Sequence, residues 1–227
     1  LQFETLMPQG TLLGSIYNLY GDVVAELKAP KDGLVFGLRS RPSVLEGQWC
    51  CFFGVVEQEV CARWLAFSCF NPIMEVGPTR NVAFWNLLRE PKYDATLIAT
   101  WRLYARLHQR LVDYSYAHGQ EASETGLPIV RPVFLADPKA PQAWDNWWTF
   151  LYGRDILVSP LWEKNKREQE VYLPAGEPWR DAWNPEKIYA GGQTITIKAE
   201  LHQIPIFTRV GASVELGDLN KEWADSQ

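Results

Sequence analysis

The hydrophobic period changes across Gly126–Trp162, and that change limits the fold more than any other feature of the chain. From Tyr93 to His118, apolar residues recur at steps of three and four; beyond Trp162 they recur at steps of two. The stretch between reads GLPIVRPVFLADPKAPQAWDNWWTFLYGRDILVSPLW. It holds a proline-interrupted apolar run, a turn-rich spacer from Ala136 to Pro141, an aromatic block and a second apolar run, Ile156 to Trp162. The block comprises Trp144, Trp147, Trp148, Phe150 and Tyr152. A chain that stops being helical, gathers rings and turns to strands is passing from one structural layer to another. This divides it into residues 1–125, a junction at 126–155, a β-rich part at 156–216 and a polar tail at 217–227 expected to fray.

Ahead of the junction, Ile16 to Leu27 places apolar residues near one helical face, although Gly21 interrupts it. Leu34 to Leu38 follows Lys31-Asp32-Gly33 as a turn into a strand, and Gly47 to Gly54 is a short buried run bounded by glycines. Helix and strand signals that alternate in this way predict α/β organisation. Glu57 to Phe70 predicts a helix with Val60, Trp64 and Phe67 on its apolar face, stopped by Asn71-Pro72. Ile73 to Val76 predicts a brief strand. The longest helix is expected over Tyr93–His118, with Leu97, Trp101, Tyr104, Leu107, Leu111 and Tyr114 on one face. Asp94 is placed to cap its start and Gly119 to stop it in the left-handed conformation. Beyond the junction, Val171–Leu173, Gln193–Lys198, Ile204–Val210 and Ser213–Leu216 read as short strands of an antiparallel sandwich.

Composition excludes several functions. A net charge of −5 argues against nucleic acid as a partner, because phosphate binding needs a basic surface. No uncharged apolar run reaches 18 residues, so no membrane-spanning helix is indicated. Cys50, Cys51, Cys61 and Cys69 crowd into one stretch without CxxC spacing, far from His108, His118 and His202. Buried thiols in a reducing compartment, with the cytoplasm favoured, fit this better than zinc or a secreted disulfide framework. The 11 tryptophans suit either sugar stacking or ordinary core packing.

EVCARWLAFSCFNPIM, the long helix ending YSYAH, GLPIVRPVFL, FLYGRDILVSPLW, YLPAGEPWRDAWNPEKIYAGGQTI and HQIPIFTRVGA follow one another over roughly residues 57–212. In that order they resemble the C-terminal half of a glycoside hydrolase family 31 enzyme. The resemblance implies an incomplete (β/α)8 barrel remnant over 1–125, followed by a proximal antiparallel β-sandwich over 156–216. It implies retaining hydrolysis of an α-glycosidic bond in an α-glucoside- or α-xyloside-type carbohydrate, without metal or organic cofactor.

Such chemistry needs two carboxyl groups about 5 to 5.5 Å apart, a nucleophile and an acid/base. Tyr17-Asn18-Leu19-Tyr20 is similar to a family segment that follows the nucleophile strand, which puts the nucleophile upstream of Leu1. The acid/base Asp of the family follows an Arg-Ser pair. Leu38-Arg39-Ser40 resembles that pair, making Arg39 a sugar-hydroxyl contact, or else matches a different Leu-Arg-Ser of the family pattern. No Asp occurs between Arg41 and Tyr93, so an internal deletion near 28–56 is expected and neither catalytic residue is identifiable. Alignment on Pro72-Ile73-Met74 puts Glu75 and Gly77 where many members carry Arg and His. Glu75 is then either a sugar contact or a salt-bridge partner of Arg80 or Arg89. Glu57 and Glu59 suit a helix start, and Asp145 either lines a cleft or caps the Trp-rich helix.

Three readings compete: a glycosidase portion inactive as this chain alone, a non-catalytic carbohydrate-binding or scaffold module, and a degenerate fragment without function. An incomplete barrel exposes sheet edges, so association into a homo-oligomer is also expected.

Overall fold

The computed structural model describes residues 7–38, 51–54, 58–74 and 94–227. They fall into two compact units, the second beginning at Gln58.

In the first unit, β1 (Leu12–Tyr17) and β2 (Val23–Lys28) form an antiparallel hairpin. A helix was expected over Ile16–Leu27. The Asn18 side chain overrides it by accepting the amides of Tyr20 and Asp22, both at 2.9 Å, while its Nδ2 donates to Asp22. Gly21 takes φ +89°, which closes the turn. β-Branched Val23 and Val24 then continue as strand. β3 (Leu34–Leu38), where a strand was expected, pairs antiparallel with β4 (Cys51–Gly54), which ends the glycine-bounded run. Every strand pair among the described residues is antiparallel. The parallel pairing of α/β organisation is therefore not found there.

The second unit is built in three layers. Its helices are α1 (Gln58–Ser68), α2 (Ala95–Arg110), α3 (Val112–Thr125), α4 (Pro141–Asp145) and α5 (Leu219–Ala224). A six-stranded antiparallel sheet comprises, in spatial order, Ile188–Tyr189 (β10), Trp179–Asp181 (β9), Ile206–Arg209 (β12), Ile156–Val158 (β7), Phe150–Tyr152 (β6) and Val130–Pro132 (β5). A second sheet pairs β8 (Glu168–Leu173) with β11 (Gln193–Lys198). Residues 126–155 thus supply two strands of the large sheet, a 3-10 turn at Val133–Leu135 and α4.

The two-residue period sorts the large sheet's side chains. Phe150, Tyr152, Ile156, Val158 and Ile206 point to one core, shared with Ala66, Phe70, Leu103, Tyr104 and Leu107 of the helical layer. Leu151, Leu157 and Phe207 point to the other, shared with Val171, Leu173, Ile195 and Ile197 of the small sheet. Both faces are covered, which is why 150–158 reads as apolar runs without polar alternation. Each fully buried aliphatic side chain contributes about 1.5–3 kcal/mol.

Several expectations change in this unit. α1 does not bury Val60 and Trp64, which are 44% and 61% exposed; it buries Ala62, Leu65 and Ala66. The small alanines allow α1 to approach α2 closely, and this outweighs the larger residues on the other face. Ile73 and Met74 are not strand. The long helix breaks at Leu111, whose amide is shared between the carbonyls of Leu107 and His108, and resumes as α3. It stops at Gly126 (φ +79°), not at Gly119, whose face lies against Ile129. Asp94 does cap α2, accepting the Thr96 amide at 2.8 Å. Asp145 ends α4 and does not cap its start.

Ser213–Leu216 is irregular, because Leu216 packs into the helical core and its carbonyl takes the Arg110 guanidinium. The polar tail is ordered as α5. Asp218 caps it on the Lys221 amide at 3.0 Å, Leu219 is buried, and Glu222 pairs with Arg110 at 2.7 Å. Among the described residues no helix is long and apolar enough to cross a membrane.

Candidate functional site

Two carboxylates in the second unit are enclosed by cations. Glu59, in the first turn of α1, receives Arg63 at 3.0 Å, Arg167 at 2.8 Å and the Asn165 amide at 3.1 Å. Burial pushes its carboxyl up, but Arg167, Arg63 and the Asn165 amide together hold it below the ordinary value. Glu121, on α3, receives Arg154, Arg131 at 2.7 Å and His118 at 2.8 Å. Arg154 first, then Arg131 and His118, keep its carboxyl well below the usual range. Groups held ionised so firmly serve poorly as proton donors near neutral pH. Glu59 ties α1 to the loop after β7, and Glu121 ties α3 to the β6–β7 turn. Asp137 is likewise held low, by the Ala175 amide and the Tyr172 hydroxyl.

Asp181 behaves in the opposite way. Only 7% exposed at the end of β9, it has its carboxyl pushed up by burial, against the pull of the Trp183 and Asn184 amides and of Lys187. Both amides donate to one oxygen, Oδ1, at 2.9 and 3.3 Å. Asp181 lines an open groove of about 400 Å³, whose walls include Trp183, Lys187, Tyr189, Lys198 and Gln203. The chain reaches this groove through a tight loop. The Asp181 amide donates to Lys187 O at 3.1 Å, Lys187 N to Asn184 O at 2.8 Å, and Arg180 Nη1 to Pro185 O at 2.9 Å. The groove carries one carboxyl, whereas retaining glycoside hydrolysis requires a facing pair. Its walls set two rings, one carboxylate acceptor and several donors around a concave surface.

Arg39 and Glu75, the substrate contacts implied by resemblance, lie outside the described residues, as do Glu57, Arg80 and Arg89. The Tyr17–Tyr20 segment is the hairpin turn, with Tyr17 60%, Leu19 102% and Tyr20 91% exposed. Cys69 is a buried thiol, pushed up by burial, and no metal-holding cluster occurs among the described residues. The aromatic block divides between core and surface. Phe150 and Tyr152 are buried, Trp144 stacks on Phe134 at 4.3 Å, and Trp147 leans on Trp162 with both more than half exposed.

Sequence reasoning missed the groove, although WRDAWNPEKIY was in view. The available signal was Asp181 two and three residues before the amides it accepts, a local turn pattern that folds Trp183 and Lys187 back beside β9.

Comparison with known proteins bears on this same region. Residues 126–214 match the family profile described as Glycosyl hydrolase family 31 C-terminal domain. A sulfoquinovosidase of Agrobacterium fabrum is 30% identical over 172 residues, 74% of this chain and 25% of that protein. An alpha-xylosidase of Saccharolobus solfataricus is 33% identical over 159 residues, 70% of this chain and 21% of its own length. The chain thus spans about a quarter of the length of the curated relatives it matches.

Among solved structures, a GH31 alpha-xylosidase from a soil metagenome, complexed with xylose, superposes with a TM-score of 0.59 at 27% identity. That match covers 73% of this chain and 26% of the other. A cycloalternan-degrading enzyme of Trueperella pyogenes, in complex with a covalent intermediate, gives 0.63 at 29% identity, covering 72% and 23%. The chain belongs to glycosyl hydrolase family 31, and residues 126–214 form that family's C-terminal domain.

Proposed function

We propose that this chain is part of a retaining α-glycosidase that hydrolyses α-glucoside- or α-xyloside-type bonds, and that the chain alone is inactive. The observation that carries this reading is the 30% identity, over 172 residues, to a sulfoquinovosidase, with an alpha-glucosidase and an alpha-xylosidase among the other relatives. Residues 1–125 are the rear part of the catalytic (β/α)8 barrel, shortened near 28–56, with Arg39 and Glu75 contacting sugar. Residues 126–214 are the C-terminal domain that follows it in the chain.

The reaction would proceed by attack of one carboxylate on the anomeric carbon while the second carboxyl protonates the departing oxygen. Water then releases the glycosyl–enzyme ester, with the second group now acting as base. Glu59, Glu121 and Asp137 are committed to Arg, amide and hydroxyl partners, so none of these three is offered as nucleophile or acid/base.

Aryl α-glucosides and α-xylosides, assayed with the chain alone and with upstream sequence restored, test the reading. No turnover by the chain and clear turnover after restoration is expected. No turnover by the complete protein on any α-glycoside would refute the glycosidase assignment, while turnover by the chain alone would place the acidic pair within it.

A further inference from the structure

The hydrolase reading assigns nothing to the groove beside Asp181, whose walls bring rings, a carboxylate and ammonium groups together. About 400 Å³ falls within the 300–1,000 Å³ typical of small-molecule sites. We propose that this groove binds a saccharide unit, through its hydroxyls and one ring face.

Asp181 Oδ1 is occupied by two amides, and among the described residues no donor reaches Oδ2, which leaves it as an acceptor. Gln203 has its Oε1 committed to the Glu200 amide at 2.9 Å, so its amide nitrogen remains as a donor. Lys187 and Lys198, both exposed, add two ammonium donors. Trp183 donates its indole N–H to Ile204 O at 2.7 Å and therefore presents only ring. Tyr189 is fixed edge-on against Phe207, with ring centroids 6.1 Å apart.

A ligand that both donates and accepts satisfies all of these groups at once, and a hydroxyl does both. A purely anionic ligand would face the Asp181 carboxylate, and a purely cationic one the two lysines. An apolar ligand would leave the Asp181 and Gln203 polar atoms without partners. The C–H face of a pyranose suits the Tyr189 and Trp183 rings. Because backbone hydrogen bonds already lock the 181–187 loop, binding would require little ordering.

This inference is independent of whether the chain contributes to hydrolysis. It is tested on the 227-residue chain by heteronuclear NMR titration with maltotriose, isomaltotriose and cellotriose, with sodium sulfate as a separate titrant. At least one saccharide should give saturable shifts at the amides of Trp183, Asn184 and Lys198. The Lys187→Ala/Lys198→Ala variant, altered only at exposed positions, should bind it about tenfold more weakly. Tyr189→Ala, checked for folding by its amide spectrum, should also weaken it. No saturable shift at the groove with any of the three sugars would overturn the proposal. So would equal response to sulfate, or unchanged affinity in the double lysine variant.

Discussion

The hairpin at 12–28 and the strand pair at 150–158 draw on the same residue types and use them in opposite ways. In the hairpin, Leu12, Tyr17, Val23 and Val24 are each about half exposed or more, and the buried residues beneath it are Leu13 and Ala29. In β6 and β7 all six residues are buried, alternate ones in each of two cores. Val, Leu and Tyr make strand in both places, so β-propensity does not separate them. Layers do: the large sheet has helices on one face and a second sheet on the other, whereas a two-stranded ribbon has little to bury by itself.

The largest expected effect tests whether the layered unit stands on its own core. Leu103→Ala, inside the helical core, should cost about 2–5 kcal/mol in the urea transition followed by near-ultraviolet circular dichroism. Leu13→Ala should leave that transition in place, and a shared loss would mean that the two units unfold together.

Glycine turns sharpen the contrast. A Cβ on Gly153 (φ +64°) would overlap His118 and the Tyr114 hydroxyl, where α3 docks on the β6–β7 turn. Gly153→Ala should cost about 2–4 kcal/mol by the same measurement. Gly21 (φ +89°) has open space around it. Gly21→Ala should cost only about 1 kcal/mol, read from amide exchange in the hairpin.

Acid should act on the layered unit through His202, which stacks on Trp223 at 3.9 Å and is held down to about 4 by burial, against the opposing pull of Glu200. The folded state thus favours the neutral ring. Its contribution is complete above the unfolded value near 6.5 and is lost as pH falls toward about 4, a loss on the order of 1–3 kcal/mol. His202→Phe should flatten that part of the stability–pH curve between pH 7 and 4.5. An effect as small as that at Gly21 is expected at the end of the chain: Asp218→Ala should cost about 1 kcal/mol by removing the cap of α5.

What the sequence made legible follows from how local the cause is. Asp94 as a cap, the strand at Gln193–Lys198 and the apolar run that opens with β7 each rest on neighbours in sequence, and the structure has them. The Ile16–Leu27 helix failed because one side chain, Asn18, holds a turn more strongly than apolar spacing holds a helix. The buried face of α1 was misjudged because close approach to α2 rewards Ala62 and Ala66 over Trp64. The ordered tail depended on Arg110, 112 residues from Glu222, and Trp223 depended on His202. Family motifs were readable across 57–212, while the groove was not, since its walls come from β9, the loop after it and the β11 edge, brought together only by the fold.

Native-state hydrogen exchange on the intact chain tests the contrast most directly. The account predicts that the slowest amides lie in Phe150–Tyr152, Ile156–Val158, Ile206–Arg209 and the middle of Ala95–Arg110, exchanging through global unfolding of that unit. Amides of Leu12–Tyr17 and Val23–Lys28 should exchange orders of magnitude faster, through local opening. Equal protection in the hairpin and the central sheet would contradict it.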